Sequence, residues 1–248
     1  MISIISPAKS LDWKSAVKLS IGTEPLFTEQ TTELVEIIQQ LSVSQLQKLM
    51  NVSDKIAELN YRRFSDFADL PVKQAIFAYD GDLYKKIDKS AIRVAQADFL
   101  QQHIFIISGL YGVLRPLDYI KPYRLEMSQQ LPGTNLYDFW RTIITEHINL
   151  SLKQHQTPYL INLSSMEYAN VIDKNLLIYP MINIYFKEEH NGKLRIIGLN
   201  AKKARGLMVD FIIKNSIDTT EMLKTFIGGG YQFNVHASSE FDWVFIKK

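Results

Sequence analysis

Short apolar runs recur along the chain. Between them lie stretches in which apolar residues return every three or four positions. The runs 2–5, 75–78, 104–107 and 159–163 are each flanked by turn or polar residues. Apolar runs without alternation predict strands covered on both faces, as in the middle of an α/β sheet. Leu136, Phe139, Trp140, Ile143, Ile144, His147 and Ile148 follow helical spacing, and Leu34, Ile37, Ile38 and Leu41 do so over a shorter span. Further on, strand-like runs at 182–188 and 193–199 flank Asn191-Gly192, a type I′ hairpin signal that introduces an antiparallel pair. A helix follows with Ala204, Leu207, Met208, Phe211 and Ile212 on one stripe, and Val244-Phe-Ile246 reads as a returning strand. The pattern predicts an α/β (mixed α+β) fold. A single domain over 1–248 has a mixed, largely buried sheet and surrounding helices.

The segment Ser108 to Met127 departs from this alternation. It packs glycines, prolines, tyrosines and basic residues together with Leu and Ile. A loop this apolar has to lie against the body of the protein.

Composition narrows the functional classes. With 248 residues and 46% hydrophobic content the chain can bury a full core. A charged fraction of 22% and a net charge of +2 leave any preference for anions to local clustering. The absence of cysteine excludes disulfides, thiolate metal sites and cysteine nucleophiles. No run reaches the ~18 apolar residues of a membrane span, and the apolar N-terminus is too short for a signal peptide. The expectation is a cytoplasmic protein with no membrane partner.

Four predicted strands end in similar chemistry: 2–5 runs into Ser6-Pro-Ala-Lys9, 104–107 into Ser108-Gly-Leu-Tyr-Gly112, 159–163 into Ser164-Ser-Met-Glu167, and 193–199 into Asn200 to Gly206. Ligands of open α/β sheets sit beyond the carboxyl ends of parallel strands, so parallel neighbours would gather these loops at one cleft. Lys202, Lys203 and Arg205 are predicted in the first turn of the following helix, where each cation opposes the macrodipole by about 0.3–1 kcal/mol. That arrangement points to a bound anion, with a solvated basic helix start as the alternative. The expected anion-binding set is Ser6, Lys9, Ser108, Arg115, Arg124, Lys202, Lys203 and Arg205.

Other polar motifs read more plainly. Ser164 and Glu167 fit a capping box better than a nucleophile and acid. Asp80-Gly81-Asp82 fits a turn. Histidines 103, 147, 155, 190 and 236 lack zinc-like spacing. No metal site, cofactor or catalytic residue is assigned.

Residues 44–64 read as a helix–hairpin–helix-like segment. Ser44 and Gln47 fit a capping box, Asn51-Val-Ser53 makes a tight break, and Ser53 is placed to cap the next helix. In a DNA-binding hairpin of this kind, glycines on either side of a buried hydrophobe let backbone amides approach a phosphate. Here Asn51 and Ser53 stand at those positions around Val52, and Asn tolerates the left-handed conformation better than Ser. Asn51, Ser53, Lys55, Arg62 and Arg63 are the candidate DNA contacts, against the alternative of an ordinary helical hairpin.

Taken together, Ile5-Ser-Pro-Ala-Lys-Ser-Leu-Asp12, Val52-Ser-Asp-Lys-Ile-Ala57, Ser108-Gly-Leu-Tyr-Gly-Val-Leu-Arg-Pro-Leu-Asp118, Pro122-Tyr-Arg-Leu-Glu-Met127, Leu136-Tyr-Asp-Phe-Trp140, Ile161-Asn-Leu163 and Ala201-Lys-Lys-Ala-Arg-Gly-Leu-Met208 resemble the YaaA family of peroxide-stress-response proteins. Lys86 and Ser164 depart from residues common in that family. The resemblance implies a bacterial cytoplasmic protein that limits hydrogen peroxide damage in a context of restricted free iron. It also implies non-sequence-specific binding of double-stranded DNA through the hairpin and a basic cleft. No reaction follows from it. The alternative function is an enzyme acting on a nucleotide or other phosphorylated small molecule in the same cleft.

Overall fold

The strand Ile2–Ile5 (β1) is buried at every position and hydrogen-bonded on both edges. It pairs parallel with β3 (Ile104–Ser108) on one side and β8 (Leu160–Asn162) on the other. The sheet grows outward by parallel pairing of β8 with β9 (Met181–His190) and of β9 with β12 (Asp242–Lys247). Antiparallel strands finish both edges: β4 (Gly112–Leu114) against β3, and β11 (Tyr231–Phe233) against β12. A short β10 (Lys193–Arg195) folds back on β9 through Asn191 and Gly192, both at positive φ, as the I′ turn requires. Two small pairs lie apart: β2 (Lys73–Gln74) with β5 (Tyr119–Ile120), and β6 (Gln130–Leu131) with β7 (Thr134–Asn135). This computed structural model describes residues 1–17 and 19–247.

The helices are α1 (Thr28–Gln39), α2 (Val43–Met50), α3 (Asp54–Ser65), α4 (Ala75–Ala78), α5 (Ala97–His103), α6 (Leu136–Leu152), α7 (Met166–Ala169), α8 (Gly198–Asn215) and α9 (Thr220–Leu223). They surround the sheet and share one hydrophobic core with it, which makes the chain a single mixed α/β domain. None of them is long and apolar enough to cross a membrane. α6 buries Leu136, Trp140, Ile144, Ile148 and Leu152, a stripe at four-residue spacing, and the Asn135 side chain caps its start by accepting from the Tyr137 amide at 2.9 Å. The segment 108–127 does lie against the body. Leu110, Tyr111, Leu114, Leu117, Tyr123 and Leu125 are buried along it, and the Trp140 indole donates to the Gly109 carbonyl.

Two expected elements differ. The run 75–78 is one turn of helix, because its amides turn toward the carbonyls of Asp118 and Pro116, and an apolar run of four cannot be told from a buried helical turn by its periodicity. The expected strand 193–199 stops at Arg195. Its residues are exposed on both faces, so no core holds the extended form, and α8 opens at Gly198. Lys202, Lys203 and Arg205 therefore lie a full turn or more inside α8, away from the amides of its first turn. The predicted helix-start anion site is not formed. The capping boxes also move. Ser42 and Gln45, not Ser44 and Gln47, open α2, and Ser164 does not cap α7, since its hydroxyl donates to Asn162.

α8 reaches the carboxyl edge of the sheet by packing on the segment 83–86. A Cβ added at Gly206 would lie 2.1 Å from the Leu83 carbonyl oxygen, a backbone atom with nowhere to go. Gly206→Ala is expected to destabilise the protein by roughly 1–3 kcal/mol through overpacking, despite the ~1 kcal/mol gain in helix propensity. A thermal melt reads this as a drop of several degrees. An unchanged or raised melting temperature would show that this contact does not constrain α8.

Candidate functional site

The carboxyl ends of β1 and β8 open into a cavity of about 400 Å3. Ser6 and Lys9 enter from the β1 loop, Leu163 and Ser165 from the β8 loop, Glu167 and Tyr168 from α7, and Lys202 and Arg205 from α8. Asp82 and Tyr84 complete the wall. The two strand loops are tied together, with the Ser165 amide donating to Ser6 Oγ at 2.8 Å. The Tyr84 hydroxyl donates to the Ser6 carbonyl, also at 2.8 Å, and fixes the turn after β1.

Beside this cavity runs a wider groove of about 690 Å3, between the α2–α3 hairpin and the segment 124–132. Lys48, Leu49 and Asn51 form its hairpin side, facing Lys9, Arg124 and Gln129. Lys9 and Glu126 line both spaces. Glu126 holds the boundary, with Lys9 Nζ 2.7 Å from Oε2 and Arg124 Nη2 3.3 Å from Oε1. Its side chain is 14% exposed whereas that of Lys9 is 62% exposed. Glu126 is thus the fixed member, and Lys9 can leave it for a ligand at little cost.

Charge separates the two spaces. Three cations of the inner cavity (Lys9, Lys202, Arg205) are matched by three carboxylates (Asp82, Glu126, Glu167). In the groove, Lys9, Lys48 and Arg124 face Glu126 alone. The groove is electropositive and the cavity is balanced.

Two guanidinium nitrogens near these spaces are buried without partners, Arg124 Nε and Arg205 Nε. Among the described residues no carboxylate lies within ion-pair distance of Arg205, and its burial pulls the guanidinium pKa down. A desolvated cation without a counter-ion is costly, and such groups concentrate where a ligand supplies the missing acceptor.

Asn51 takes φ 47°, ψ 60°, the left-handed region, and the Val52 amide donates to Gln47 O, closing α2 as a Schellman turn. Ser53 stands at the N-cap of α3 in extended backbone without a side-chain cap bond. Asn51, Ser53 and Lys55 lie together at the hairpin and are exposed. Arg62 and Arg63 do not join them. They are on the last turns of α3, about 10 Å along its axis from Lys55. Arg62 sits near Glu58, and Arg63 donates to Asn60.

Of the eight expected anion-binding residues, the structure gathers Ser6, Lys9, Arg124, Lys202 and Arg205 along the cavity and groove. Lys203 does not line either space. Ser108 is fully buried, its hydroxyl engaged by the Leu110 and Tyr111 amides and by Tyr123 Oη at 2.7 Å. Arg115 lies at the other end of the sheet, because β4 runs antiparallel to β3 and carries the chain back to the amino edge. There it pairs with buried Asp118 at 2.8 Å and donates to Glu24 O. Lys48 and Tyr168 escaped sequence reasoning. Lys48 had a signal, a cation in the last turn of α2 three residues before the left-handed Asn51. Among the described residues no group of three or more His, Asp or Glu could hold a metal ion.

Beneath the cavity lies a cluster of phenols. Tyr79 and Tyr123 share a 2.6 Å hydrogen bond, and Tyr123 continues to Ser108. Burial pushes Tyr123 up to about 12, and raises Tyr79, Tyr84, Tyr111 and Tyr168 as well.

Fold and site together define an open α/β domain with a polar cavity and an electropositive groove along the carboxyl edge of its parallel strands. The sequence profile of the peroxide stress protein YaaA matches residues 1–237. UPF0246 proteins of Rickettsia rickettsii (strain Iowa), Rickettsia felis and Rickettsia bellii (strain OSU 85-389) are each 47% identical to the chain, and the match covers 100% of both partners. The chain belongs to this peroxide stress protein family.

The buried phenols imply a pH dependence with a definite sign. Their folded pKa values lie above the unfolded value of ~10, so their contribution to stability is intact below pH 10 and declines above it, by about 1.4 kcal/mol per pH unit for each phenol. An ultraviolet phenolate titration of the native protein is expected to stop short of its twelve tyrosines, the remainder ionising together as the protein unfolds. Smooth ionisation of all twelve near pH 10 with the helical signal intact would contradict the burial of this cluster.

Proposed function

We propose that this peroxide stress protein acts by gripping the phosphate backbone of double-stranded DNA in the groove beside the hairpin, without reading sequence. One observation carries the reading. The left-handed Asn51 hairpin and Lys48 face Lys9 and Arg124 across a groove with two more cations than carboxylates. Backbone phosphates supply the counter-charge, and affinity of this origin is sequence-independent and salt-dependent. The groove offers phosphate-seeking cations rather than a row of base-reading side chains, since α2 contributes Gln45, Lys48 and Leu49 beside the left-handed turn at Asn51. DNA held there would be shielded along the gripped stretch, which suits a protein of the peroxide response. The candidate contacts reduce to Lys48, Asn51, Ser53 and Lys55 at the hairpin with Lys9 and Arg124 opposite. Arg62 and Arg63 sit too far along α3 to reach the same phosphates.

Fluorescence anisotropy of labelled duplex DNA tests this. Binding is expected at about 50 mM salt and should fall steeply toward 200 mM. Lys48→Ala and Lys55→Ala should each weaken it and lower the salt slope by about one, whereas Arg62→Ala should leave it nearly unchanged. No binding at low salt would sink the proposal. So would equal affinity in the Lys48 and Lys55 variants with loss on changing Arg62 and Arg63.

A further inference from the structure

We propose that the inner cavity binds one nucleoside monophosphate unit, either free or carried by the strand whose backbone follows the groove. The strand-borne form rests on the groove reading above, and the free form does not. The cavity volume of about 400 Å3 lies within the range of sites for small organic ligands, roughly 300–1,000 Å3.

Arg205 sets one end of the ligand. Its guanidinium is desolvated, its Nε has no partner, and no carboxylate among the described residues neutralises it. A phosphate matches the planar donor fork of arginine, and Lys202, three residues earlier on the same side of α8, adds a second cation. The rest of the lining excludes a bare anion as the whole ligand. Glu126 and Glu167, from the 124–132 segment and α7, would repel it, and Asp82 adds a third carboxylate, so the remainder of the ligand must donate hydrogen bonds. Glu167 spends Oε1 on the Ser128 hydroxyl and amide and keeps Oε2 free. Carboxylates accept from the amino groups of bases and from sugar hydroxyls. Pro7 and Tyr168 add apolar and aromatic surface for a base. An anionic group, hydrogen-bond donors and a flat face together describe a nucleotide better than a sugar phosphate or an inorganic ion.

The link to a strand is geometric. Lys9 and Glu126 line both spaces, so a chain lying in the groove passes the mouth of the cavity at Lys9. Swinging Lys9 away from Glu126 opens that passage and leaves the cavity carboxylates free to receive an extruded nucleotide. Extrusion is least costly at a damaged or unpaired position, which would direct the protein to such sites without any base-specific groove contact.

The test uses the intact protein, calorimetric titration with the four deoxynucleoside 5′-monophosphates and ribose 5-phosphate, and a duplex carrying one unpaired 2-aminopurine. At least one monophosphate is expected to bind about ten-fold or more tightly than ribose 5-phosphate, and Arg205→Gln should weaken it by about ten-fold or more. Lys202→Gln, an exposed substitution that spares the fold, should weaken it less but measurably. Both variants should keep duplex affinity, and Lys48→Ala should do the reverse. A rise in 2-aminopurine emission on binding, lost in Arg205→Gln, supports the strand-borne form. Monophosphate binding with emission unchanged supports the free form and removes the strand-borne one. No monophosphate binding, binding no tighter than ribose 5-phosphate, or full binding by both variants would overturn the cavity assignment. Duplex affinity judges the groove separately.

Discussion

The parallel pairing of Ile2–Ile5 on both edges is the constraint from which the site follows. It fixes β1 between β3 and β8 and aims their carboxyl ends the same way. Because β1 is buried at all four positions, a one-residue slip would move each of its side chains into the opposite packed layer, whose neighbours do not fit it. The loop after β1 is then held by Tyr84 at Ser6 O and by the Ser6–Ser165 contact to the β8 loop. A cavity built this way is a property of the sheet rather than of flexible loops, and its polar groups are positioned before any ligand arrives.

Glu126 converts one edge into two environments. It binds Lys9 and Arg124 together, and in doing so divides an electropositive groove from a charge-balanced cavity. The distinction is physical. Excess cation favours a polymer of phosphates, while matched charges around an unpaired guanidinium favour a small ligand with both an anionic and a donor-bearing end. The phenols around the cavity floor stay un-ionised at ordinary pH because burial raises their pKa values, so they add no charge to the site. In the proposed function the groove would hold a phosphate backbone and the cavity one unit of the same polymer, so both would act through one surface.

Much of the fold was legible. The buried strands at 2–5 and 104–107, the Asn191-Gly192 hairpin, α6 and the returning β12 all carry strong local signals, and the structure contains each of them. The four-residue run at 75–78 failed because period cannot distinguish a buried strand from one helical turn. The strand expected over 193–199 failed because its apolar residues find no core and the helix starts earlier. For the site, the approach of Ser6 and Lys9 to the β8 loop was legible from strand ends. The exclusion of Arg115 was not, since it depends on β4 running back along β3, a matter of strand direction. Lys202 and Arg205 arrived by a different route from the one expected, through the tight seat of Gly206 on Leu83. Tyr168 was hidden because only tertiary packing turns it toward the shared edge.

Hydrogen–deuterium exchange of the intact protein with and without duplex DNA maps the bound surface without altering it. A grip in the groove slows exchange at the hairpin around 48–55 and along 124–130 and leaves the far end of α3 around 62–65 unaffected. Protection confined to that far end, or to the opposite edge of the sheet near Arg115, would contradict it.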